Sequence, residues 1–216
     1  MEPKIESLFL DMEDRNITGI ILAGGKSSRL GRDKSRETIG GVPLIRRVIT
    51  AVGEVSREII IVGGRHNELA EMGPNIRFVL DRAFGIGPLM GIYSGLSEAR
   101  YACACLVACD LPFINPSVLR LLIDMAAGHQ AAVAVIGGTP QPTHAVYAKS
   151  VLPIIEETLK TERAGLMTLL DRLDVKYIEE AKVREIDPEL LSFMNINTER
   201  DLKEARRIFE TSNLTM

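Results

Sequence analysis

Residues 22–34 read LAGGKSSRLGRDK and directly follow the apolar run Ile20-Ile21-Leu22. Glycines without a Cβ let successive backbone N–H groups converge on an anion. Lys26, Arg29, Arg32, Lys34 and Arg36 add fixed positive charge next to them. The ordinary explanation of any one of these cations is a solvated surface charge, but a cluster beside glycines suits phosphate. The two commonest phosphate loops do not fit. A Walker loop ending at Gly25-Lys26-Ser27 needs its first glycine at position 20, which is isoleucine. The segment also departs from G-x-G-x-x-G, the dinucleotide fingerprint. What remains is a third kind of loop, rich in both glycine and fixed positive charge.

Two aspartates end apolar runs in the same way. Asp110 closes LVACD and is followed by Leu-Pro, so its carboxylate is offered at a strand end where the chain turns away. Burying that charge without a partner costs too much. A turn or helix-cap role would suffice for an isolated case, but beside a phosphate loop the residue reads as a Mg²⁺ ligand. Magnesium is typically held by one or two carboxylates, with substrate phosphates and waters completing its shell. Asp81 ends FVLD and precedes a glycine loop. It can accept from a ribose diol or a purine N–H edge, or act as a turn residue beside Arg82. Near the C-terminus, FMNINTERDL places Asn195 and Asn197 on one side of an expected short strand. Thr198 and Asp201 match a helix cap, which accounts for Thr198 and leaves the two asparagines unexplained.

These residues need a scaffold, and the rest of the chain supplies an alternating one. Strands are expected at Thr18–Leu22, Glu58–Val62, Arg77–Leu80, Cys103–Ala108, Ala131–Ile136 and across THAVYA. Helices are expected at Pro43–Val55, Pro88–Ala99, Pro116–Ala127, Val151–Leu159 and Gly165–Leu173, with a last one starting near Thr198. Prolines 43, 88 and 116 suit first-turn helix positions. Such alternation predicts an α/β fold, a mostly parallel sheet with helices on both faces, whose ligands bind outside the carboxyl ends of the strands.

Composition narrows the function. The 216 residues suffice for one sizeable α/β domain, expected over 17–216 behind an N-terminal extension at 1–16. A net charge of −3 argues against a nucleic-acid partner. No apolar run approaches a membrane span, and the acidic N-terminus does not read as a targeting peptide, so no membrane partner and a cytoplasmic location are expected. Cys103, Cys105 and Cys109 share one face of an extended strand. With no fourth ligand spaced nearby, they read as small buried hydrophobes in a reducing compartment.

Taken together, LAGGKSSRLGRDK, GVPLIRRV, LDRAFGIGPLMGIYSGL, ACDLPF, PTHAVY and NINTERDL resemble, in order, the motifs of the molybdenum cofactor guanylyltransferase family. This family belongs to the sugar-nucleotidyltransferase-like enzymes, and the likeness spans about residues 17–205. It implies a three-layer Rossmann-like nucleotidyltransferase fold. By the same resemblance Leu22, Ala23 and Gly24 contact GTP through the backbone and Lys34 neutralises its phosphates. Asp81 binds the guanosine end, Asp110 binds nucleotide and Mg²⁺, and Asn195 and Asn197 stand near the metal and the pterin. Gly24-Gly25 would shape the base pocket, since the cytidylyl relatives carry Ala-Gly there, and Arg29 is a reasonable clamp on pyrophosphate. Two departures are Leu30, where the family usually has Met, and Val62, where some members have a polar residue.

The implied reaction transfers GMP from GTP to molybdopterin or molybdenum cofactor and releases pyrophosphate. Molybdoenzyme-specific chaperones or apo-molybdoenzymes are the implied recipients of the product. The acceptor phosphate is already an anion, so no Ser, Cys or His base is needed. Cytidylyl and sugar-1-phosphate nucleotidyltransferases would use the same loop and Asp110. A non-catalytic GTP-binding protein would not need to keep both the lysine and the carboxylate.

Overall fold

A computed structural model of the chain describes residues 16–24, 37–63, 75–80 and 87–213. Its centre is a seven-stranded sheet in the order β5-β4-β1-β6-β8-β7-β9. The strands are β1 (Ile17–Leu22), β4 (Glu58–Val62), β5 (Ile76–Val79), β6 (Cys103–Ala108), β7 (Ala131–Ile136), β8 (Thr139–Ala148) and β9 (Val175–Glu179). The pairings β5–β4, β4–β1, β1–β6 and β7–β9 are parallel, and only β8 runs against its neighbours β6 and β7. A separate two-stranded ribbon joins β2 (Thr38–Ile39) to β3 (Val42–Pro43).

The central strands are apolar on both faces because both faces are covered. Ile17 and Ile21 of β1, Ile59 and Ile61 of β4, and Cys105 and Val107 of β6 point into one layer. That layer is completed by α1 (Leu44–Gly53), α3 (Pro116–Met125) and α6 (Glu180–Arg184). Ile20 and Leu22, Ile60 and Val62, and Ala104 and Leu106 point into the opposite layer. There they meet α2 (Pro88–Glu98), α4 (Leu152–Leu159) and α5 (Leu166–Leu170). Burying one such aliphatic side chain contributes about 1.5–3 kcal/mol, so these two layers dominate the stability of the sheet. All three cysteines belong to the first layer, with Cys105 fully buried and Cys103 and Cys109 packed against it. Burial, with a smaller push from Cys103, raises the Cys105 thiol to about 12, so it stays protonated and inert.

A third, smaller cluster joins α7 (Glu199–Asn213) to the ribbon. Leu202 and Ala205 pack with Ile39, Leu44 and Ile196. Arg47 lies over the Phe209 ring at 4.6 Å, and two of its nitrogens donate to the Ile39 carbonyl.

Several elements differ from the sequence expectation. Pro43 ends the ribbon and is the residue before α1, not its first turn. Strand β8 begins at Thr139, four residues earlier than THAVYA. β9 and α6 were not expected at all. The short strand expected around Asn195 and Asn197 does not form: residues 194–197 carry no regular structure.

Candidate functional site

The register brings four strand ends into line. Leu22 of β1 pairs with Val62 of β4 and with Ala108 of β6, and Val62 pairs with Val79 of β5. The backbone ladder continues one step past these ends. Ala23 N–H donates to the Val62 carbonyl at 2.8 Å, Gly63 N–H to Val79 at 2.9 Å, and Cys109 N–H to Leu22 at 3.0 Å. The chain therefore leaves the sheet at Gly24 and Asp110 side by side, on neighbouring strands.

This arrangement separates the roles of the opening loop. Leu22 is buried, Ala23 half-buried and Gly24 exposed. Because the Ala23 N–H is committed to Val62, backbone donation to a phosphate has to begin at Gly24. Gly24 is also crowded from behind by Gly63. A Cβ on Gly63 would stand 2.6 Å from the Gly24 Cα and 2.7 Å from its nitrogen. Gly63 has φ +83°, so both its conformation and its surroundings exclude a side chain. Sequence reasoning missed Gly63, whose importance depends on a neighbour thirty-nine positions away in the chain. Val62 is buried among the residues that meet α2, so its side chain is part of the core.

Asp110 is half-buried at the end of β6, where its Oδ1 is sealed from solvent and accepts no hydrogen bond, although the residue does have an interaction partner. Its backbone carbonyl accepts from Ile196 N–H at 2.9 Å. Five residues on, Asn115 N–H donates to Ser192 Oγ at 3.1 Å. Segments 110–115 and 192–196 thus run antiparallel and are fastened at both ends. Phe113 and Met194 pack between them against the third cluster. Ile196 is fully buried, while its neighbours Asn195 and Asn197 are exposed and half-buried. No strand ladder holds the segment that bears the two asparagines; the bond from Ile196 to Asp110 fastens it instead. Asn197 and Thr198 are fixed further by Asp201, whose Oδ2 accepts from their N–H groups at 2.9 and 2.7 Å. Thr198 Oγ1 accepts in turn from Asp201 N–H, completing the expected cap of α7. The Asn197 N–H bond, aided by both Thr198 bonds and by nearby Arg200 and opposed by burial, holds the Asp201 carboxyl below its usual range.

Gly25, Arg29, Lys34 and Asp81 lie outside the described residues. The structure thus brings together Leu22, Ala23, Gly24, Asp110, Asn195 and Asn197 from the expected set. It adds Gly63, Ser192 and Ile196 as the residues that hold them. Because β8 is antiparallel, its beginning also faces this end of the sheet. The β7–β8 turn there is Gly137-Gly138, both with positive φ, and Glu180 Oε2 accepts from Gly137 N–H at 2.7 Å.

A mostly parallel α/β sheet with a glycine-led strand end and an aspartate on adjacent central strands fits a nucleotide-handling protein of the nucleotidyltransferase type. The family described as the MobA-like NTP transferase domain matches residues 19–177, and the chain belongs to that family. A protein of Pelotomaculum thermopropionicum named "Probable molybdenum cofactor guanylyltransferase" is 37% identical over 195 residues, covering 90% of this chain and 94% of that one. The molybdenum cofactor guanylyltransferase of Desulfosudis oleivorans is 33% identical, covering 92% and 98%. Among solved structures, molybdopterin-guanine dinucleotide biosynthesis protein A of Archaeoglobus fulgidus superposes with a TM-score of 0.77 at 29% identity. It covers 90% of this chain and 100% of that one.

Proposed function

We propose that the chain transfers GMP from GTP to the phosphate of molybdopterin, or of its molybdenum-loaded form, with Mg²⁺ at Asp110. The observation that carries this reading is the bond between Ile196 and Asp110. It joins the aspartate beside the glycine loop to the segment bearing Asn195 and Asn197, so donor and acceptor residues belong to one braced unit. The relatives' names, molybdenum cofactor guanylyltransferase, support guanylyl transfer to a molybdenum cofactor as this reaction.

The bond changes are few. An oxygen of the acceptor phosphate forms a bond to the α-phosphorus of GTP, and the bond from that phosphorus to the bridging oxygen breaks, releasing pyrophosphate. The acceptor oxygen carries its own charge, so the protein need not remove a proton. Gly24 offers backbone N–H to the triphosphate, while Lys34 and Arg29 neutralise it and the departing pyrophosphate. Asn195 and Asn197 orient the acceptor. Catalysis is positioning and charge stabilisation.

Asp110 and the asparagine side chains offer hard oxygen donors, which suit Mg²⁺. Among the described residues no three His, Cys, Asp or Glu side chains gather as a metal cage. When bound, the ion would neutralise charge on the phosphates.

The test is pyrophosphate release from each of the four nucleoside triphosphates, with and without molybdopterin. Release is expected only with GTP and acceptor together, and only with Mg²⁺ present. Preference for CTP would overturn the guanylyl assignment, and release without acceptor would overturn the transfer.

A further inference from the structure

Strand β8 is longer than the space it crosses. Val133 pairs with Ala145 and Val135 with Pro140, so β7 spends the single residue Ala134 where β8 spends four, Gln141–His144. The excess cannot slip out at the tip, because Ile136 pairs with Thr139 and Glu180 holds the Gly137 N–H. It forms a bulge, the kind of irregularity that re-aims side chains beside functional sites. Pro140 and Pro142 fit here, since a sheet tolerates proline at bulges and free edges. Tyr147 fixes the shape. Its ring is fully buried in the second layer, and its hydroxyl donates to the Pro142 carbonyl at 2.8 Å. Residues five apart in a straight strand stand about 17 Å from each other, too far for that bond, so it closes only on a chain folded back. At the other end of the bulge the His144 ring stacks on Phe193, two residues ahead of Asn195, at 4.5 Å between centroids.

The bulge has a defined place relative to Asp110. The order β1-β6-β8 puts Gly24 on one side of β6 and the bulge on the other. On the β1 side β6 stays bonded through Cys109 N–H, whereas on the β8 side its pairing stops where Val107 meets His144. The chain that reaches Asp110 is thus closed toward the glycine end and released toward Gln141–Thr143. Both Gln141 and Thr143 are half-buried. Gln141 Nε2 donates to the Thr139 carbonyl at 3.1 Å, which leaves its amide oxygen and a second N–H for another partner. The Thr143 hydroxyl is bonded to none of the described residues. Neither side chain is charged, so the pair suits a neutral polar ring better than a phosphate.

We propose that the β8 bulge is the subsite for the heterocycle of the acceptor, with Gln141 and Thr143 as its hydrogen-bonding residues. The attacking oxygen and the departing pyrophosphate lie roughly in line through the phosphorus. With the triphosphate at the glycine end of β1, the acceptor approaches Asp110 from the opposite side, over β8. A pterin carries donors and acceptors along its ring edge, which a carboxamide and a hydroxyl both match. The inference rests on the guanylyl-transfer reading and deepens it by naming where the acceptor ring sits.

Gln141→Leu and Thr143→Val remove the hydrogen-bonding groups and nearly keep the shapes. Pyrophosphate release is followed with molybdopterin and GTP varied in turn, and Tm checks the fold. Each variant should raise the molybdopterin KM about fivefold or more, the scale of one lost hydrogen bond. Values of kcat and of the GTP KM should stay within about twofold, since only binding of the acceptor is lost. Thr143→Ser keeps the hydroxyl and should match the parent. If either variant fails to fold, the alanine substitution at that position is read in the same way. A parent-like molybdopterin KM in both variants, or an equal rise in both KM values, would overturn the proposal. If the parent itself releases no pyrophosphate with molybdopterin, the transfer reading fails separately. Equilibrium dialysis of molybdopterin against the parent and the double variant then decides: affinity lost in the variant upholds the subsite, and equal affinity or no binding overturns it.

Discussion

Gly63 approaches Gly24 so closely that a Cβ on the former would lie 2.6 Å from the latter's Cα. The contact is backbone against backbone, with no flexible side chain to give way. The end of β4 therefore backs directly onto Gly24 and sets how far it stands from the sheet.

Gly63→Ala has to displace Gly24 or unwind the end of β4. Strain of this kind costs on the order of 1–3 kcal/mol. Chemical denaturation should show that loss, and GTP affinity should fall with it. Full stability together with unchanged GTP binding would mean that the two glycines do not constrain each other.

Asp110→Asn keeps the shape of the side chain and the backbone bond from Ile196, but removes the charge. Turnover should fall by ~10²-fold or more, the scale of a preorganised electrostatic group, while the melting temperature stays at the parent value. Near-normal turnover with unchanged Mg²⁺ dependence would remove Asp110 from the metal site.

Lys34→Ala tests the cation role directly. Its loss should weaken GTP far more than guanosine, and the gap should widen as salt is lowered, since screening hides exposed charge. Calorimetry with both ligands at two ionic strengths measures it. An unchanged ratio of the two affinities would return Lys34 to a solvated surface charge.

Stability should also respond to pH in two windows. His144 ionises near pH 6.5 when unfolded and about 4 when folded, so the unfolded chain binds more protons between those values. Stability is full above pH 6.5 and declines as pH falls toward 4, by on the order of 3 kcal/mol. Glu58 acts lower. It is nearly fully buried at the amino end of β4, and burial alone would raise its pKa. Arg100 N–H and Thr18 Oγ1 donate to its Oε1 at 2.7 Å and Arg77 to its Oε2 at 2.9 Å, and together they lower it. Its contribution is present above the ordinary glutamate range and is lost as pH falls through the depressed folded value. Urea melts from pH 7 to 3 should follow this course, and His144→Phe should flatten the upper window alone.

Much of the scaffold was legible from the chain. β1, β4 and β6 are continuous apolar runs because both faces are covered, and such runs mark their own ends. β9 was not, since its sequence Val-Lys-Tyr-Ile-Glu belongs to a half-covered edge strand with exposed Tyr177. α6 is too short to show a helical period. Asp110 and the asparagines stood out because a carboxylate at an apolar strand end, and two amides on one side, demand partners. Gly63, Ser192 and Ile196 did not. Each matters through a backbone or hydroxyl contact to a residue far away in sequence, and residue type alone does not reveal such contacts.

The place of β1 in the middle of the sheet has a consequence for how the chain is made. β1 needs Glu58–Val62 on one side and Cys103–Ala108 on the other before its hydrogen bonds are complete. At ribosomal speeds of about 5–20 residues per second, the second partner follows the first strand by on the order of ten seconds. Until then one of the most apolar segments of the protein, ITGIIL, keeps at least one edge open. Its nascent chain is then at its most dependent on a holding chaperone, and a stalled translation before residue 108 would leave an aggregation-prone strand in place of a partial fold.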